Sequence, residues 1–99
     1  MIEMLRTYYT RLAEEIGRID LLLIDGYVSE RVVAANILAP QAVFTILHDT
    51  ESPLYGWEQL DAIPDGHRRS RFRRTVPWTD VYSPADLVGL VERLAGGVA

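Results

Sequence analysis

The chain contains no cysteine, which excludes disulfides, thiolate metal centres and cysteine nucleophiles and leaves its redox compartment unread. It has no lysine either; all ten basic residues are arginine. No apolar run approaches the length that spans a bilayer. The first residues lack the apolar core and small-residue cleavage site of a secretory signal, so a cytoplasmic protein without membrane contact is expected. Internal repeats, low-complexity tracts and linkers are also missing. Ninety-nine residues suffice for one domain and are too few for two.

What is present is the composition of a folded chain. Hydrophobic residues make up 48% and charged residues 24%, a balance that separates it from disordered sequences, although its size limits how much apolar surface it can bury. The net charge of −4 is unevenly spread: "HRRSRFRR", residues 67–74, holds five of the ten arginines, leaving a net −9 on the rest. A basic strip on an acidic body argues against nucleic-acid binding driven by overall charge. In a strand, Arg69, Arg71 and Arg73 share one face. They either hold a phosphate, a nucleic-acid backbone or an acidic partner or blunt an edge against unwanted pairing.

Apolar periodicity supplies the order of elements. Ile2, Leu5, Tyr9, Leu12 and Ile16 alternate spacings of three and four and predict a helix that Gly17 stops. The run Ile19 to Ile24, broken only by Asp20, predicts a strand covered on both faces. Ser29 is expected to cap a second helix, with Val32, Val33, Ala35, Ile37 and Leu38 on its buried side and Pro40 at its end. A second apolar run, residues 42–47, ends at His48-Asp49. Strand, helix and strand make a βαβ unit with a right-handed crossover. Further on, a short helix is expected over residues 54–63, strands over 70–76 and 79–83, and a helix over 84–94 stopped by Gly96-Gly97.

"IDLLLIDG", a helix containing Arg31 and then "LAPQAVFTILHDT" resemble the fourth and fifth strands of class I S-adenosylmethionine-dependent methyltransferases. "PWTDVYS" is similar to the strand pair that closes such sheets. The resemblance covers roughly residues 8–83, and implies an α/β fold in a single domain, 1–99. That fold is a partial Rossmann-like methyltransferase sheet: a parallel βαβ core, a C-terminal antiparallel strand pair and flanking helices. Two departures stand out. Gln41-Ala42 follows Pro40 where the family has a glycine pair, and the family's glycine-rich cofactor turn and ribose-holding acid have no counterpart. The resemblance therefore implies a truncated or incomplete methyltransferase, inactive alone, with its S-adenosylmethionine-binding residues unknown.

Three residues carry the expected chemistry. Asp25 and Asp49 end the two strands, and in the family's metal-dependent O-methyltransferases aspartates at these places bind a divalent cation such as Mg²⁺ that also holds the acceptor's hydroxyls. His48 has the intrinsic pKa of a general base for a small-molecule acceptor. The structural alternative makes Asp25 and Asp49 turn and helix caps and His48 a hydrogen-bonded strand end. Trp57 and Trp78 are read as packing residues. A receiver-type phosphoacceptor role for Asp25 lacks the acidic pair and the lysine it requires. A different class of function follows from the strand at 19–24. Its outer edge, if uncovered, makes the chain a non-catalytic interaction module that dimerises or docks a partner chain.

Overall fold

The computed structural model describes residues 2–87 together with Gly89 and Arg93. Helix α1 (Ile2–Ile16) ends where Gly17 takes a φ of 70° and donates its N–H to Ala13 O at 3.1 Å. Glycine enters that left-handed region without a Cβ clash. Tyr9 and Ala13 turn toward the core, whereas Ile2 and Ile16 at the two ends of the helix stay exposed. The Gln41 amide ties this helix end down by donating to both Ala13 O and Gly17 O.

Strand β1 (Ile19–Ile24), helix α2 (Arg31–Leu38) and strand β2 (Ala42–His48) form the expected βαβ unit. The helix begins after Glu30 rather than Ser29, because Tyr27 O accepts from both the Glu30 and Arg31 N–H groups and closes the preceding turn. Strands β3 (Arg68–Phe72) and β4 (Thr79–Ser83) complete one mixed sheet in the order β1-β2-β4-β3. β1 and β2 are parallel; β4 is antiparallel to both β2 and β3. An α/β fold with a parallel core and an antiparallel pair is thus observed.

In-register neighbours share a sheet face. Leu22 and Ile24 lie beside Thr45 and Leu47, and this face meets Ala13, Ala34, Ala35 and Leu38 of the helices to form the core. Burying Leu47 alone contributes about 2 kcal/mol. The other face differs from expectation. Leu21 and Leu23, beside Phe44 and Ile46, remain 60% and 61% exposed: helices α1 and α2 both pack on the opposite side, so β1 is covered on one face and not on both.

The segment expected as a helix over 54–63 forms two 3-10 turns, Pro53–Tyr55 and Trp57–Gln59, separated by Gly56 at φ 68°. That residue interrupts helical dihedrals, and Asn36 of α2 holds the following backbone by accepting from the Asp61 and Ala62 N–H groups. β3 occupies 68–72 rather than 70–76, leaving Arg73 and Arg74 in the turn toward β4. Beyond β4 the Leu87 N–H donates to the buried Ser70 hydroxyl at 3.0 Å. The helix expected over 84–94 and its Gly96-Gly97 stop lie largely outside the described residues. Among those described, no helix is long and apolar enough to cross a membrane.

Candidate functional site

Parallel pairing with Ile24 beside Leu47 delivers residue 25 next to residue 48 at the carboxyl end of the sheet. Asp25, His48 and Asp49 each offer a ligand atom, and these atoms lie within 4.8 Å of one another. Asp49 adopts a φ of 62°, a conformation aspartate tolerates better than most residues. This backbone turn aims its carboxylate back over the strand ends while its carbonyl accepts from Trp57 Nε1 at 3.1 Å. The three expected residues do converge.

A fourth residue organises them. Arg31, the first residue of α2, sends its guanidinium beneath both strand ends. Nε donates to Gly26 O at 2.8 Å, Nη1 to His48 O at 2.9 Å and to Asp49 Oδ2 at 3.0 Å, and Nη2 to Asp25 Oδ1 at 3.2 Å. The Tyr55 ring lies over its Cζ at 3.8 Å, a contact that stabilises a desolvated cation. The Arg31 side chain is only 7% exposed. Its two acids bracket it toward solvent, Asp25 being half exposed and Asp49 less so.

His48 Nε2 sits 3.7 Å from Asp49 Oδ1, too far for a hydrogen bond. A groove of about 200 Å³, lined by Tyr9, Leu23, Asp25, Glu30, Arg31 and Leu38 among others, opens between the outer edge of β1 and the helices. The Tyr9 hydroxyl donates to Glu30 Oε2 at 3.2 Å; burial, and then the charge of Glu30, raise its pKa above the ordinary tyrosine value.

The donor spacing suits a chelated cation, but the guanidinium already engages one oxygen of each carboxylate, so a divalent ion would not meet these acids free of a neighbouring positive charge. Nor do the residues present fit an S-adenosylmethionine grip. Gly26 alone follows β1, no glycine-rich turn stands there, and among the described residues no strand pairs with its outer edge. No cofactor contact is assigned to this chain.

The arginine strip divides. Arg69 and Arg71 lie opposite Tyr82 and Asp80 on one face, while Arg73 falls beyond the strand. Arg71 forms a bidentate pair with the buried Asp80, at 2.8 and 2.9 Å, and lies 5.3 Å from the centre of the Trp78 ring. Thr50 Oγ1 donates to the same carboxylate at 3.1 Å. Burial, reinforced by the Asp80 charge, raises the Tyr82 pKa. Three of the five strip arginines, Arg68, Arg69 and Arg71, therefore lie in β3, and Arg71 is committed to the sheet's own architecture.

Sequence reading missed the roles of Arg31, Tyr55 and Trp57. The signal was faint: an arginine six residues after a strand-end aspartate, and beyond the second strand a tyrosine two residues before a tryptophan that was assigned to packing. Compared with known proteins, the chain matches no family model, no curated sequence and no solved structure.

Proposed function

We propose that this domain is the acceptor-side half of an S-adenosylmethionine-dependent methyltransferase sheet, catalytically incomplete as it stands and cytoplasmic. One observation carries the reading: two adjacent parallel strands end in Asp25, His48 and Asp49 around a common space. On the far side an antiparallel pair closes the sheet, while among the described residues no strand pairs with the near edge. When bound, the cofactor would supply an electrophilic methyl group. This chain's part is to receive a small-molecule hydroxyl or amine near His48, which accepts the proton released from the nucleophile. Asp49 offsets the imidazolium charge, and Arg31 fixes both acids in place.

Calorimetric titration with the demethylated cofactor tests this. The chain alone is expected to give no binding heat, and co-expression with a polypeptide carrying a cofactor-binding half is expected to restore it. Binding by the chain alone overturns the incompleteness; no binding in either preparation overturns the methyltransferase reading.

A second reading is favoured by a specific observation. Leu21, Leu23 and Phe44 form an exposed apolar face beside the edge of β1 that no strand pairs among the described residues, and such edges recruit strands. As an interaction module the chain would self-associate or dock a partner there. Light scattering at high concentration should then show a species larger than one chain that Leu21→Lys with Leu23→Lys returns to the monomer. A native chain that is monomeric throughout removes self-association from this reading.

A further inference from the structure

We propose that Arg31 takes the place of a divalent cation at the Asp25–Asp49 pair, and that removing its guanidinium converts Asp25, His48 and Asp49 into a divalent-ion site. The native protein then holds no such ion there. This concerns charge matching within the cluster and stands apart from the methyl-transfer reading.

The argument begins with the two carboxylates. Held together at the ends of neighbouring strands, they repel unless a positive charge lies between them. Arg31 supplies that charge from within the chain, bonding Asp25 Oδ1 and Asp49 Oδ2 with separate nitrogens while its remaining donors satisfy Gly26 O and His48 O. The fork also fixes both strand ends, its nitrogens bonding the Gly26 and His48 carbonyl oxygens as well as the two carboxylates.

An incoming ion meets two obstacles. Binding through the engaged oxygens strips the guanidinium of its anions while it stays buried, which is strongly unfavourable. Binding through the outer oxygens places a double positive charge beside the guanidinium, and the two repel. Arg31 has no route of retreat to water: its side chain is 7% exposed and the Tyr55 ring covers it at 3.8 Å. Take the guanidinium away and both obstacles vanish. Two carboxylates and an imidazole within 4.8 Å are then a donor set suited to Mn²⁺. Under the methyl-transfer reading, the acceptor is accordingly a single hydroxyl or amine rather than a diol gripped through a metal.

Mn²⁺ itself is the probe, with free ion measured by electron paramagnetic resonance. The native chain should show no saturable binding. Arg31→Met and Arg31→Gln should bind Mn²⁺ at least about a hundredfold more tightly, with a thermal midpoint that rises on adding the ion. Adding Asp25→Asn and Asp49→Asn to either variant should abolish that gain. Saturable binding to the native chain that is lost in Asp25→Asn overturns the proposal, since ion and guanidinium would then coexist. Failure of both Arg31 variants to bind, whether or not they fold, overturns it equally. Cofactor calorimetry tests the methyl-transfer reading separately, so the two can fail independently.

Discussion

At the open end of the parallel pair the buried partner is the cation, Arg31, and its acids reach toward water; on the antiparallel side the buried partner is the acid, Asp80, and its cation Arg71 is the more exposed. Side-chain exposure puts the contrast in numbers: 7% for Arg31 against 51% for Asp25, and 3% for Asp80 against 27% for Arg71. Both clusters join neighbouring strands through charge-assisted hydrogen bonds. Only the first leaves carboxylates where a ligand can meet them. Burial direction, rather than the presence of an ion pair, separates the site from the scaffold.

The comparison is broken most sharply on the scaffold side. Arg71→Ala leaves Asp80 buried with Thr50 as its remaining hydrogen-bond donor, and is expected to cost about 4 kcal/mol in denaturant unfolding with an unchanged m-value. Joint replacement of Asp25 and Asp49 by asparagine strands the buried guanidinium in the opposite sense. Because Gly26 O, His48 O and the Tyr55 ring still engage it, the expected loss is somewhat smaller, about 3 kcal/mol. Asp80→Asn should cost less again, about 1 to 2 kcal/mol, since Arg71 can turn to solvent. If Asp80→Asn proves worse than Arg71→Ala, the assignment of which partner is trapped is wrong.

The smallest effect sharpens the comparison through a tyrosine on each side. Tyr9 leans on Glu30 beside the site, and Tyr82 on Asp80 at the scaffold. Both pKa values are raised by folding. Their contribution to stability is therefore complete below the ordinary tyrosine value of about 10 and is lost as pH rises through the shifted values. A phenolate absorbance titration should show a late-ionising component that shrinks in Tyr9→Phe and again in Tyr82→Phe. An unchanged titration in both variants contradicts the shifts.

Legibility in the sequence followed the range of the interactions. The βαβ unit could be read from apolar runs and from Gly17 and Pro40, because strand and helix periodicity are local properties of the chain. The meeting of Asp25 with His48 and Asp49 could be anticipated from parallel strands ending together. Helicity over 54–63 was misjudged because Gly56 in a left-handed conformation outweighed a favourable composition. The arginine strip read as one patch, yet pairing of β3 with β4 assigned Arg71 to Asp80 and left Arg73 in a turn.

Pattern alone decided that two strands and a helix form here and that acids stand at the strand ends, since each such feature depends on neighbours a few positions away. Only the tertiary structure decided that Arg31 fills the space between those acids under Tyr55, and that Leu21 and Leu23 are left uncovered. These outcomes depend on segments far apart in sequence arriving at the same place, and on whether anything packs against a given face, which no local run of residues encodes.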